Sequence, residues 1–529
     1  MAGSALVLFT LLAAAGPSVQ PAAAPQFFEP STTCIACHNQ VKTAHGDEVP
    51  IASGWRGSMM ANAARDPYWQ AAVRREITEH PEAAAAIEHE CAACHMPMVR
   101  FPAHRAGQQT SVFASTALPM AIDGVSCSLC HQIGTANLGT RKSFNGGFEI
   151  DMPLRAGGPF EVDPGRTQVM QSASGFTPVQ RPHLKESEVC ATCHTLHTHA
   201  LTRDGKAAGE LPEQTPYLEW KHSAFATERS CQSCHLPELA GDAAVTSVLP
   251  QNRQNVSIHE FRGGNAFMMR ILRTNAAALG VTAPPDEMLA AETRSLAFSQ
   301  EHAARVSIDE TAVREGRLQF AVNVTNLAGH KLPTAYPSRR VWLHVSVRDA
   351  RGAMLFESGA VRADGSIAGN DNDADARRFE PHYTTVTSAD QVQIYESIMV
   401  DSEGLLTTGL ISAVQYVKDN RILPRGFDKA TAEADVAIYG GAADDRDFVA
   451  EGDRVTYDVP VTSPEGTLTI EAELLYQPIG FRWADTLGSM KSAESARFAA
   501  MYQAQAATST TVLAKKTVTV GKQLASMRP

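Results

Sequence analysis

Five copies of one pattern, Cys-x-x-Cys-His, account for all ten cysteines of this chain. They are Cys34-x-x-Cys37-His38, Cys91-x-x-Cys94-His95, Cys127-x-x-Cys130-His131, Cys190-x-x-Cys193-His194 and Cys231-x-x-Cys234-His235. Positions i, i+3 and i+4 share one face of a helical turn. Two thiols on that face can form thioethers with the vinyl groups of a porphyrin, while the imidazole turns under the iron as its proximal ligand. Disulfides, redox dithiols and zinc knuckles also use Cys-x-x-Cys, yet none requires a histidine directly after the second cysteine. The pattern predicts five covalently bound c-type haems, and with every site loaded no thiol remains for a disulfide. Successive first cysteines are separated by 57, 36, 63 and 41 residues. So short a chain per porphyrin leaves little room for a conventional core, so the haems must supply much of the buried apolar surface.

At 529 residues the chain is long for one domain, given roughly 150 residues each. A formal charge of −11, before any haem propionate is counted, speaks against nucleic acid as a partner. It favours basic or dipolar redox proteins, whose association weakens as salt rises. An apolar run over residues 5–16 precedes the small-residue stretch 21–24, so residues 1–24 read as a signal peptide. The run is too short to span a bilayer, and no other segment is apolar for long enough. The first basic residue is Lys42, so the usual basic start of a signal is missing, as it would be if the true start codon lay upstream.

Residues 25–302 carry the motifs and show little strand periodicity. Helices are expected at Gly57–Ile77 and Glu82–His95, divided by Pro81, and at Pro285–His302, where Leu289, Leu296 and Phe298 mark a partial apolar face. A weak repeat is visible. Trp55-Arg-Gly-Ser58 ahead of the second motif matches Trp220-Lys-His222-Ser223 ahead of the fifth, and both motifs run on into a proline two residues later, Pro97 and Pro237. From 303 to 529 the pattern changes to β-branched alternation at 317–325, 341–347, 392–395, 454–459 and 467–475, with a helix from Arg482 to Ala507 and a last strand Thr511–Val520. The fold class expected is α+β: a helical and irregular multihaem domain, then an antiparallel β-sandwich-like domain with an inserted helix.

A low-spin haem needs a second axial ligand. Eighteen histidines less five in the motifs leave thirteen. His222, nine residues before Cys231, is the first candidate. His259 follows, in a segment whose Gly263 and Gly264 allow close backbone approach. His330, in the turn Gly329-His330-Lys331-Leu332-Pro333, could cap a haem and tie the second domain to the first. His183 and His104 complete the set, while His45, His197, His199 and His382 read as ordinary histidines. Gly57 stands where the repeat has His222, so Met59 or Met60 is the alternative ligand there, against a core-packing reading. Asp371, Asp373 and Asp375 alternate like a calcium loop but lack its glycine and its glutamate, which leaves a solvated acidic loop. Arg339 and Arg340 could pair with propionates or stand exposed.

With these residues read, the chain resembles the bacterial multihaem cytochromes c, in particular the group related to the tetrahaem cytochrome of ammonia oxidisers and to the multihaem cytochromes of metal-reducing bacteria. The resemblance rests on the five motifs, on Cys94-His95-Met96-Pro97, on Gly124-Val-Ser-Cys127 and on the Gly329–Pro333 turn. It implies closely spaced, mostly bis-histidine haems passing electrons in the periplasm or at the cell surface, with haem attached outside the cytoplasmic membrane. The partners it implies are cytochromes, quinol-oxidising complexes or an outer-membrane conduit, with an oligomer or filament left open. Pentahaem nitrite reductases share the haem number, but their catalytic haem uses lysine in the motif, and no Cys-x-x-Cys-Lys occurs here. An electron carrier is the expectation; a reductase or oxidase of small nitrogen or sulfur compounds, with one open haem, is the alternative.

Overall fold

The computed structural model describes residues 26–43, 45–461 and 466–521; the expected signal peptide lies outside them. Every motif is wound on a helical turn. Ala84–His95 and Cys231–His235 contain theirs, and Ser31–Ile35, Cys127–Cys130 and Ser187–Ala191 begin the other three. In those three the turn continues, because the histidine N–H donates to the carbonyl of the first cysteine: His38 to Cys34 at 3.0 Å, His131 to Cys127 at 3.1 Å and His194 to Cys190 at 2.9 Å. Thiols and imidazole therefore share one turn throughout.

The helix expected at Gly57–Ile77 is instead Ala52–Arg56 followed by Pro67–Glu79. The Asp66 carboxylate accepts from the N–H groups of Tyr68 and Trp69, and Pro67 occupies the first helical position, a combination that starts a helix afresh. Upstream, Asn62 Nδ2 donates to the carbonyls of Arg56 and Ser58 and turns the chain away from a helical path. The helix Pro285–His302 forms as expected but buries Met288, Ala291, Glu292 and Ser295, while Leu289 is half exposed. In the first half the strands β1 (Arg155–Gly158) and β2 (Thr177–Gln180) pair in parallel, and β3 (Leu196–Leu201) and β4 (Ala207–Gln214) form an antiparallel hairpin.

The second half is β-rich. Its strands are β5 (Ala304–Arg314), β6 (Arg317–Asn326), β7 (Arg340–Arg348), β8 (Met354–Ser358), β9 (Thr385–Val386), β10 (Ile394–Tyr395), β11 (Ser397–Asp401), β12 (Leu406–Thr407), β13 (Ala413–Asp419), β14 (Gly452–Pro460), β15 (Leu468–Gln477) and β16 (Thr511–Val520). One sheet runs β10-β7-β15-β16 with β8 on β7, a second runs β5-β6-β14-β9, and a third runs β12-β11-β13. Alternate residues of β6 (Leu318, Phe320, Val322, Val324), β7 (Val341, Leu343, Val345, Val347) and β15 (Ile470, Ala472, Leu474) meet in one core, the signature of two sheets packed face to face. The sheets stay open. The fold is mixed α+β, helical first and β-rich second.

The helix expected at Arg482–Ala507 breaks into Phe481–Gly488 and Ala493–Gln503. Ser492 caps the second piece, its side chain accepting from Ser495 N–H. Both pieces face the first half, where Leu487, Phe498 and Tyr502 share a core with Tyr68, Ala71, Phe267 and Met268. Among the described residues no helix is long and apolar enough to cross a membrane.

Candidate functional site

Four of the five motif imidazoles are held by the same device. Nδ1–H donates to a backbone carbonyl: His38 to Val245 at 2.6 Å, His95 to Ala63 at 3.1 Å, His131 to Gly157 at 2.6 Å and His235 to Arg262 at 2.5 Å. A proton fixed on Nδ1 leaves the lone pair on Nε2, the form that ligates a metal. Burial favours the same neutral form. It pushes His95 and His194 down to about 4 and lowers His131 and His235. His194 is the exception, with no ring hydrogen bond among the described residues; Arg339 and His235 lie near it. Trp69 lies flat on His95, with ring centroids 4.3 Å apart and planes 3° from parallel, which restrains that ring.

Two of these imidazoles face a second histidine. His131 and His259 lie with centroids 6.2 Å apart and planes 17° from parallel, and His235 and His330 at 6.3 Å and 15°. Two metal–nitrogen bonds of about 2 Å each, plus half an imidazole ring on either side, give the same separation. The incoming rings carry the same tether, since His259 Nδ1–H donates to Ser257 O at 3.2 Å and His330 Nδ1–H to Lys331 O at 2.9 Å. None of the ten cysteines is joined to another in a disulfide. They meet across motifs, Cys34 with Cys127, Cys94 with Cys193 and Cys190 with Cys231, and Cys193 also lies near Cys130. Two cysteine sulfurs on each turn outside any disulfide, lone pairs on Nε2 and paired imidazoles form a donor set that fits c-type haem.

The other sequence candidates are placed differently. His222 Nε2–H donates to Asp428 O at 3.1 Å and its ring meets Phe427 edge-on. His183 is buried, with Nε2–H donating to Ile133 O at 2.9 Å. His104 is exposed and accepts at Nδ1 from His89 Nε2–H at 3.2 Å. Met59 and Met60 pack against separate apolar clusters. The weaker candidate His197 donates to Asp435 at 2.8 Å.

The two tryptophans of the repeat make matching hydrogen bonds, but the first serves the third motif and not the second. Trp55 Nε1–H donates to Val125 O at 2.9 Å, and Trp220 Nε1–H to Arg229 O at 2.8 Å. Val125 and Arg229 each stand two residues before the first cysteine of a motif, the third and the fifth. These are also the motifs whose histidines are doubly tied, as Gly157 N–H donates back to His131 O and Arg262 N–H to His235 O. Gly57 has no histidine because nothing larger fits: a Cβ there would sit 2.7 Å from Ala291 Cβ.

Two further expectations are corrected. Arg340 forms a buried two-pronged pair with Asp373 at 2.8 and 3.0 Å, so it is neither exposed nor free for a propionate; Arg339 is the member that lies near His194 and His330. The acidic loop is not simply solvated, since Asp371 pairs with Arg378 and Asp375 with Arg377. His382, Asp445 and Asp453 form a buried group with the elements of a metal site. However, His382 Nδ1 accepts from the amides of Gln393 and Asn420, so Nε2 keeps its proton for Asp445, 2.9 Å away. The group reads as a hydrogen-bond network. Sequence reading passed over Trp69, Glu219 and Arg421 near the motifs, because no local pattern marks them.

Comparison with known proteins adds three findings. Residues 32–132, which span the first three motifs, match the family described as Cytochrome c554 and c-prime. No curated protein matches the chain. Among solved structures it is similar to a penta-heme cytochrome c552 from Thermochromatium tepidum, with 16% identity and a TM-score of 0.53 over 93% of this chain and 100% of that one.

Proposed function

We propose that the chain is a multihaem c-type cytochrome that carries electrons between redox proteins outside the cytoplasm through five covalently bound haems, a reading supported by the family match over residues 32–132 and by the fold shared with a penta-heme cytochrome. The observation that carries this reading is the two pairs of facing imidazoles, at 6.2 and 6.3 Å. In the proposal the ten cysteines form the thioethers, the five motif histidines ligate through Nε2, and His259 and His330 close the second face above His131 and His235. Haem would supply a one-electron couple; the chain would hold and orient it and, at the third and fifth motifs, place a second imidazole where a substrate would otherwise reach the iron. The thiol contacts set the third motif beside the first, and the fourth beside the second, third and fifth. That neighbourhood suits passage from motif to motif. Location outside the cytoplasm is supported by the apolar run at residues 5–16 and by the attachment chemistry.

The test begins with denatured protein, which should keep a mass excess of five haems. The fully reduced protein is then offered carbon monoxide, nitrite and hydroxylamine separately. No binding and no turnover is the expected result. Stoichiometric binding at one haem with sustained turnover would replace the carrier by a reductase.

A further inference from the structure

We infer that a buried ring of four charged residues, Glu219, Arg421, Asp419 and Lys331, positions His330 and thereby sets the second axial contact at the haem held by Cys231 and Cys234. This inference rests on His330 acting as a ligand.

The ring joins the two halves of the molecule. Glu219 lies in the helix Pro216–Lys221 of the first half, Lys331 in the turn between β6 and β7, and Asp419 and Arg421 at and just beyond the end of β13. The side chains of Glu219 and Lys331 are wholly buried, Asp419 is 3% and Arg421 8% exposed. Two acids and two bases leave the ring neutral, and each group is hydrogen-bonded. Glu219 Oε1 accepts from Arg421 at 2.8 Å. Its Oε2 accepts from Lys331 N–H at 3.1 Å and from the Thr334 hydroxyl at 2.5 Å. Arg421 places its other edge on both oxygens of Asp419, at 2.9 and 2.7 Å, and Lys331 Nζ returns to Asp419 at 2.9 Å.

Lys331 is thus gripped by its main chain and its side chain at once, and its carbonyl is the acceptor for His330 Nδ1–H. The histidine's own carbonyl accepts from Asn326 Nδ2 at 2.9 Å, and Ser223 Oγ–H donates to Gly329 O at 3.2 Å. The carbonyls of Gly329 and His330 and the N–H of Lys331 are thus all tied, and the Lys331 and Thr334 ties meet on Glu219. An apolar contact could supply stability at a domain junction without the desolvation of four charges. What charges add is direction, and here the direction fixes one turn so that its imidazole faces His235.

The holoprotein is tested as Glu219→Gln, as the charge-balanced double variant Glu219→Gln with Arg421→Gln, and as the milder Thr334→Val, beside His330→Ala. Haem content by mass, spin state by electron paramagnetic resonance and carbon monoxide binding after reduction are read for each. The expected result is five haems retained, with one gaining high-spin character and carbon monoxide binding in the Glu219 variants, as in His330→Ala, and a smaller fraction in Thr334→Val. If His330→Ala converts one haem while the other folded variants stay wholly low spin, the positioning role is overturned and the ligand assignment survives. If His330→Ala converts none, the ligand assignment falls and this inference with it. Should Glu219→Gln alone fail to accumulate, the double variant and Thr334→Val decide on the same readouts.

Discussion

An imidazole that is to hold iron must keep its proton on the far nitrogen, and in this protein a backbone carbonyl accepts a hydrogen bond from Nδ1–H in six rings: His38, His95, His131, His235, His259 and His330. Removing one ring should act on one iron. His259→Ala should leave five haems attached and turn one from low to high spin, read in the near-infrared and by electron paramagnetic resonance. His222→Ala should leave the spin state alone, because its Nε2–H already serves Asp428 O. A second residue-scale effect comes from Glu213, buried on β4 beneath the Thr198 hydroxyl. Burial raises its carboxyl from 4.5 to about 7. The folded state then binds the proton more tightly than the unfolded one, so the stabilisation is complete below pH 4.5 and is lost as pH rises through about 7. The change is about 3 kcal/mol at most. Denaturant midpoints should fall between pH 4.5 and pH 8, and Glu213→Gln should flatten that slope; an equal slope in the variant would assign it to Asp66 and Asp453, also raised by burial.

Elements meet here with little slack. The helix Pro285–His302 runs so close to the Ala52–Arg56 turn that Gly57 has Glu287 O 3.0 Å from where its Cβ would be. Gly57→Ala should therefore lower the melting temperature, at a cost of about 1–3 kcal/mol for overpacking. Adding Ala291→Gly should recover part of the loss, since Ala291 Cβ is the nearest atom. Equal melting temperatures for wild type and Gly57→Ala would mean that the helix yields. The two tryptophan anchors belong to the same scale. Trp55→Phe removes the donor to Val125 O and should disturb the third motif, seen as slower haem incorporation at Cys127 and Cys130 in peptide mapping, with the second motif unaffected.

Across the whole molecule the two halves share their interior. Tyr68 packs edge-on against Phe498 and Tyr336, Arg74 pairs with Glu494 at 2.9 Å, and the buried Glu76 carboxylate accepts from Leu410 and Ile411 N–H. A core and a set of buried charges that cross the junction make separate unfolding costly, as breaking one buried pair costs about 3–5 kcal/mol. Denaturation followed by the Soret band, which reports the haem half, and by far-ultraviolet circular dichroism, which also reports the sheets, should give coincident curves. Separated transitions would show two independent units.

The turn that bears each motif, the Pro285–His302 helix and the Thr511–Val520 strand were legible in the sequence, because each depends on residues within a few positions of one another. The spacing i, i+3, i+4 is complete in five residues, and alternation declares a strand without reference to its neighbours. Which histidine faces which motif was not legible. His330 meets His235, and His259 meets His131, through approaches made between distant parts of the chain. The same holds for Trp55, which precedes the second motif in sequence but serves the third in space, and for Arg340, whose partner proved to be Asp373 rather than solvent or a propionate. Local chemistry decides what a segment can bind; only packing, which brings a carboxylate such as Glu219 under a turn such as Lys331–Thr334, decides where the facing imidazole stands.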